Sequence, residues 1–321
     1  MAKVSVIGAG AFGTALAVQL SRAGNKVRIW VYEEKVRDEI NRLHQNLTYL
    51  ADIKLSSGII ATNSLEEAYQ FSEIVFLAPP IFALRKLLPR EDQGKIFVCA
   101  SKGIEKDSHK LASQIVEEVV SGDYSVAAVS GPSFAKEVAG GLDSKVVLAG
   151  SNRDVLEKVR KLIATDNFKV EFSDDAVGVE LGGALKNVLA ILAGMAAGAT
   201  LGKDYQAAVF TEGLREMVDL GKKLGAKEAS FYTVAGLGDL FLTCTSDQSR
   251  NFTFGYRLGS GDKVDEALKT KSVIEGAGTA ESVYHLGQKL GIQTPLFYNV
   301  YATIYEAKPP KKALEDIWQA I

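Results

Sequence analysis

The chain is 321 residues long, 47% hydrophobic and 24% charged, with a net charge of −2. That length suits two domains and that composition a soluble globular protein, while the small negative charge gives no electrostatic case for nucleic acid or an anionic membrane as partner. The two cysteines and three histidines form no CxxC pair and no zinc spacing, so no metal site is expected.

The start, MAKVSVIG, reaches glycine after one short apolar run, which is too little for a signal peptide. Short β-rich runs follow at 3–8, 26–30, 58–62, 73–78, 95–100, 125–130 and 145–150, with helical patterns at 12–23, 64–71 and 108–120 between them. A helix at 153–163 and a strand at 168–172 finish this half. Such alternation predicts an α/β fold: an N-terminal Rossmann-type, doubly wound, mostly parallel sheet covered on both faces. After about residue 174 the period becomes helical, at 176–199, 204–224, 262–269, 278–290, 295–306 and 311–319. A C-terminal all-helical domain is expected, with the domains at 1–173 and 174–321. The apolar stretch 188–201 falls short of the about 20 residues of a membrane span and is broken by Gly194 and Gly198. A cytoplasmic protein without stable membrane insertion is the expectation.

Residues 8–13, GAGAFG, stand directly after the first strand and before the first helix. In this GxGxxG spacing Gly8 permits the tight turn, Gly10 admits a pyrophosphate to the backbone and Gly13 allows close helix packing, with the helix N-terminus favouring phosphate. The first domain therefore reads as dinucleotide-binding. Glu33, about 20 residues on, ends the second strand, where an acidic side chain bonds the adenosine ribose and repels a 2′-phosphate. It leans the cofactor towards NAD, with NADP left open; a solvated loop charge is the other reading of Glu33.

Lys186 is the only charged residue between Leu181 and Gly202. Burial of an ammonium is costly and pushes its pKa down towards neutrality, where a lysine can exchange a proton. Four further segments carry polar residues in apolar or glycine-rich surroundings: SKGIE (101–105), SGPSFAKE (130–137), GGALKN (182–187) and GLGDLFLTCTSDQSRN (236–251). The first two follow strands, so Lys102 and the Gly131-Pro132-Ser133 turn are placed to meet a ligand.

In this order, GAGAFGTALA, SKG, SGPSFAKE, LKN and GLGDLFLTCTSDQSRN resemble the bacterial form of the NAD(P)-dependent sn-glycerol-3-phosphate dehydrogenase family, over nearly the whole chain. The resemblance implies a Rossmann domain joined to a helical substrate-binding domain, a homodimer, and interconversion of glycerol 3-phosphate and dihydroxyacetone phosphate, chiefly to supply glycerophospholipid synthesis. It implies that Lys186 moves the proton and that Lys102 lies near cofactor and substrate. Gly131, Ser133, Asp239, Ser249, Arg250 and Asn251 are implied substrate contacts. Ala11, Phe12, Tyr32, Tyr49, Ala135, Arg250, Val273 and Glu275 are implied cofactor contacts.

Elementary chemistry agrees with these roles. A neutral lysine takes the alcohol proton and its ammonium returns it. Asp239 would orient that lysine, bind a substrate hydroxyl or merely cap a helix; as a partner it would oppose the effect of burial on the lysine pKa, a balance the sequence leaves open. The Arg250 fork, with Ser249 and Asn251 beside it, suits a phosphate ester. Three departures stand out: Tyr32-Glu33 where the family often has an arginine, Ala78-Pro79-Pro80-Ile81 for AVPS, and Tyr49-Leu50-Ala51-Asp52 for YLPG. A β-hydroxyacid or ketopantoate-type two-domain dehydrogenase is the alternative, and a non-catalytic nucleotide-sensing protein a second one.

Overall fold

The computed structural model describes residues 1–269 and 273–321. It falls into two compact units, Met1–Ser101 with Ala112–Ala176, and Lys102–Leu111 with Val177–Ile321.

The first unit is a doubly wound sheet. Its strands are β1 (Lys3–Ile7), β2 (Lys26–Trp30), β5 (Ile59–Thr62), β6 (Ile74–Leu77), β7 (Glu91–Cys99), β8 (Ser121–Ser130), β9 (Ser144–Ala149) and β10 (Phe168–Ser173), with a small hairpin of β3 (Gln45–Asn46) and β4 (Leu50–Lys54) beside them. The helices are α1 (Ala11–Arg22), α2 (Glu34–Asp38), α3 (Leu65–Phe71), α4 (Ile81–Leu87), α5 (Ala112–Val119), α6 (Ala135–Gly140) and α7 (Arg153–Ile163). The strand order is β10-β9-β8-β7-β6-β1-β2-β5, parallel throughout except where β8 meets β9. Successive residues of one strand serve opposite faces: Ile96 and Val98 join one core, Phe97 and Cys99 the other. Strands buried on both sides read as near-continuous apolar runs, which is why they were legible one after another.

Chain order reverses across the β6–β1 pair, and open α/β sheets bind ligands at the carboxyl ends of the strands at such a switch point. Here the turn after β1 closes. Gly8 has φ of +105°, and a Cβ there would lie 2.8 Å from the Pro79 nitrogen. A Cβ on Gly13 would come within 2.0 Å of the Gly8 carbonyl oxygen, so α1 rests directly on the turn.

The second unit is helical: α8 (Ala176–Gly198), α9 (Lys203–Lys223), α10 (Asp239–Thr245), α11 (Arg250–Gly259), α12 (Val264–Ala267), α13 (Glu275–Leu290), α14 (Pro295–Tyr305) and α15 (Pro310–Ala320). α8 lies where the helical period put it, and at 23 residues it could by length and composition alone cross a membrane, although its apolar stretch 188–201 is too short to; 83% of its apolar window is buried within the protein, as in a core helix. Glycines on two helices meet there. A Cβ on Gly194 would lie 2.0 Å from the Phe252 carbonyl oxygen, and one on Gly255 1.9 Å from that of Ile191; Gly198 and Gly259 repeat the pattern one turn on. The backbones of α8 and α11 therefore touch, and Lys186 and Arg250 are carried by helices in direct contact.

One boundary differs from the contiguous division expected. Residues 102–111 lie in the first half of the sequence but belong to the helical unit. Ile104 and Leu111 are buried in its core, and Ser282 Oγ donates to the Ile104 carbonyl at 3.0 Å. The local sequence has too few apolar residues to announce such an excursion.

Candidate active site

In the helical unit, the lone lysine of α8 is met by a carboxylate. Lys186 is 6% exposed and Asp239, the first residue of α10, 1%. Lys186 Nζ donates to Asp239 Oδ1 at 2.5 Å and to Thr243 Oγ1 at 2.7 Å. Thr243, one turn beyond Asp239, donates its own hydroxyl to the Asp239 carbonyl at 2.6 Å, so its oxygen lone pairs face the lysine. On the other carboxylate oxygen, Lys102 Nζ donates to Asp239 Oδ2 at 2.7 Å. Asp239 is thus a bridge between two ammonium groups and makes no side-chain cap of its helix.

Two opposing forces act on Lys186. Burial lowers its pKa, the Asp239 charge raises it and the Lys102 charge lowers it again; burial is the largest, and the amine comes down to about 8. Burial, only partly offset by a carboxylate already shared with Lys102, leaves an amine that changes protonation at about pH 8.

Beside this centre the N-terminal ends of α11 and α13 meet the middle of α8. Asn187 Nδ2 donates to Glu275 Oε2 at 3.3 Å, and Asn251 Oδ1 accepts from the Gly276 N–H at 2.9 Å. Ser249 caps α11, its Oγ accepting from the Phe252 N–H at 3.2 Å. Ser249 and Asn251 are therefore buried framework groups as well as candidate contacts. Arg250, at the first position of α11, is exposed, and no carboxylate among the described residues pairs with it. Val273 is exposed just before α13.

Of the residues expected along the dinucleotide, the first unit carries Gly8, Gly10, Ala11, Phe12, Gly13, Tyr32, Glu33, Tyr49 and Ala135, and the helical unit Lys102, Arg250, Val273 and Glu275. Ala11 and Phe12 open α1, whose N-cap is Gly10 and which therefore has no side-chain cap; a Cβ at Gly10 would meet nothing within 4 Å. The backbone there is open to a pyrophosphate, and the Gly8 and Gly13 contacts leave no room for side chains, so the residues present fit a nicotinamide dinucleotide. The Ala9 carbonyl accepts from Asn46 Nδ2 at 2.8 Å and from Thr14 Oγ1 at 3.2 Å, which pins the turn. Glu33, at the N-cap position of α2, accepts from Tyr49 Oη at 2.6 Å. Tyr32 beside it is 81% exposed. At the end of β8, Gly131 has φ of +151° with Val146 Cα 2.9 Å from its would-be Cβ, and Ser133 Oγ donates to its carbonyl at 2.8 Å. Ala135 starts α6.

Thr243, Asn187 and Asn46 were not singled out as site residues. Thr243 had a signal, its one-turn spacing from Asp239 in GLGDLFLT, and Asn187 closes the GGALKN segment. Asn46 had none for the turn it pins, since the groups it donates to lie 32 and 37 positions away.

A glycine cradle at a Rossmann switch point, with a buried lysine of lowered pKa on a helical unit, defines an NAD(P)-dependent dehydrogenase. Residues 3–156 match the model of the NAD-dependent glycerol-3-phosphate dehydrogenase N-terminus and residues 175–315 that of its C-terminus. The chain belongs to this family. It is 40% identical to a glycerol-3-phosphate dehydrogenase [NAD(P)+] of Staphylococcus epidermidis over 99% of the chain and 98% of that protein. It is also 40% identical to one of Geobacter sp. over 98% and 96%. The crystal structure of glycerol-3-phosphate dehydrogenase from Coxiella burnetii superposes with a TM-score of 0.94 at 35% identity, covering 99% of this chain and 98% of that one.

Proposed function

We propose that this protein interconverts sn-glycerol 3-phosphate and dihydroxyacetone phosphate with NAD(P)(H), its Rossmann unit holding the dinucleotide and its helical unit the substrate. The observation that carries the reading is the Lys102–Asp239–Lys186 bridge, with the Lys186 amine brought to about 8. When bound, the nicotinamide supplies or accepts the hydride. The protein manages the proton: the Lys186 ammonium gives one to the substrate oxygen during reduction, and the neutral amine takes it back during oxidation. Asp239 and Thr243 fix the amine; Lys102 is held beside it as a second cation. Asn187 ties the middle of α8 to the start of α13 through Glu275, and the exposed Arg250 at the N-terminus of α11 suits the substrate phosphate, where a guanidinium and a helix dipole act together. Gly131 and Ser133 are assigned to substrate. Gly8, Gly10, Ala11, Phe12, Gly13, Tyr32, Glu33, Tyr49, Lys102, Ala135, Arg250, Val273 and Glu275 are assigned to the cofactor. The family resemblance supports a homodimer, a cytoplasmic setting and a role in supplying glycerophospholipid synthesis.

The test is initial rates of NADH and NADPH oxidation with dihydroxyacetone phosphate and with 2-ketopantoate. Turnover is expected with the phosphate ester, and activity confined to the carboxylate would reject the assignment.

A further inference from the structure

The hairpin that carries Tyr49 is built as a strut. Asn46, fully buried, donates from Nδ2 to the Ala9 carbonyl and to Thr14 Oγ1, both at 2.8 Å, and its Oδ1 accepts from the Tyr49 N–H at 3.0 Å. The buried Glu39 accepts from the Leu47 N–H at 3.1 Å on the near side of the same turn. Tyr49 is therefore fixed at its backbone to the glycine turn, and its hydroxyl reaches Glu33 Oε1 at 2.6 Å. The phenol is half-buried, and its hydrogen bond to Glu33, aided by burial and by the Glu33 charge, pushes its pKa up to about 12. It is a proton donor across the whole working pH range.

The cations nearby are turned elsewhere. Arg37 gives Nε and Nη2 to Asp38 Oδ1 at 2.9 and 2.7 Å, and Lys35 lies 3.8 Å from Glu39. A 2′-phosphate arriving at the end of β2 would meet an oriented carboxylate rather than a ready guanidinium.

We propose that Tyr49 is a positioning residue for cofactor choice: by holding one oxygen of Glu33 it aims the carboxylate so that this end of the site takes an unphosphorylated ribose and rejects a 2′-phosphate. The proposal rests on the dinucleotide reading of this unit and adds the selector to it. An oriented carboxylate discriminates in two ways, by accepting from a ribose hydroxyl and by repelling a phosphate dianion.

The experiment is direct titration of the protein with NADH and with NADPH, by calorimetry and nicotinamide fluorescence. Wild type should bind NADH at least about tenfold more tightly, and Glu33→Gln should narrow that ratio by about tenfold, as expected for one lost charge-assisted contact. Tyr49→Phe keeps the ring and should narrow the ratio by about three- to tenfold, with little further change when added to Glu33→Gln, because the two residues act as one unit. A merely structural role would weaken both nucleotides equally; an unchanged ratio in Tyr49→Phe overturns the proposal, as does a wild type that binds NADPH as well as NADH. Loss of all nucleotide binding by the wild type would instead overturn the dinucleotide reading itself.

Discussion

The glycine turn after β1 and the lysine centre are built from opposite materials. In the first unit the decisive residues are glycines, and what matters is the room they leave: Gly8 and Gly13 press backbone against backbone while the start of α1 stays open. In the helical unit the decisive residues are long charged side chains drawn into the interior, and what matters is their mutual charge: two ammonium groups on one carboxylate that is 1% exposed. A site made of backbone tolerates changes of charge around it but no added volume. A site made of buried charges tolerates little change of charge, since removing one partner strands the other.

That contrast can be broken by substitutions that change charge at one place and volume at the other. The largest effect is expected at Lys186. Lys186→Ala should lower turnover by about 10³-fold, within the range of lost acid–base catalysis, with NADH affinity unchanged in a fluorescence titration. Near-normal turnover would remove the lysine from the chemistry. Next comes Gly13→Ala, where a single methyl would stand 2.0 Å from the Gly8 carbonyl oxygen. Overpacking of this kind costs about 2 kcal/mol of folding stability and displaces the turn, so the variant should melt at a lower temperature and bind NADH more weakly in the same titration; unaltered binding would mean that the turn is not the nucleotide's seat. The smallest effect is pH. With the Lys186 ammonium proposed to serve reduction and the neutral amine oxidation, the reduction rate should fall, and the oxidation rate rise, as pH passes through about 8. One unit above that midpoint, reduction should stand near a tenth of its plateau. A profile flat from pH 7 to 9.5 in single-turnover measurements would sharpen the comparison against the lysine.

The two regions also differed in how far they could be read from sequence. Strands such as β2 at Lys26–Trp30 and helices such as α7 at Arg153–Ile163 lie where the apolar pattern puts them, since alternation and helical period are local properties. GAGAFG and the lone Lys186 were visible for the same reason: one is a contiguous motif, the other a contrast with its neighbours. The segment 236–251 gave no helical stripe, because its glycines, serines and polar residues interrupt any apolar face, yet α10 lies within it and α11 begins at its end. Packing against α8 overrides the weak propensity there. The bridge itself joins residues 137 and 53 positions apart in sequence, and no local pattern reports that Lys102 and Lys186 choose the same carboxylate. Asn46 is the extreme case, a two-residue strand whose one buried amide organises the neighbouring turn.

The glycine seam between α8 and α11 has a consequence for how this enzyme can change. Where two helices meet through carbonyls and Cα atoms, neither has side-chain slack with which to slide or tilt. The spacing between the Lys186 amine and the exposed Arg250 guanidinium is then a fixed gauge, inherited by every variant that keeps the seam. With Arg250 proposed to hold the substrate phosphate, evolution or design that aims at a longer or shorter phosphate ester should begin at residues 249–251 rather than along the helix shafts.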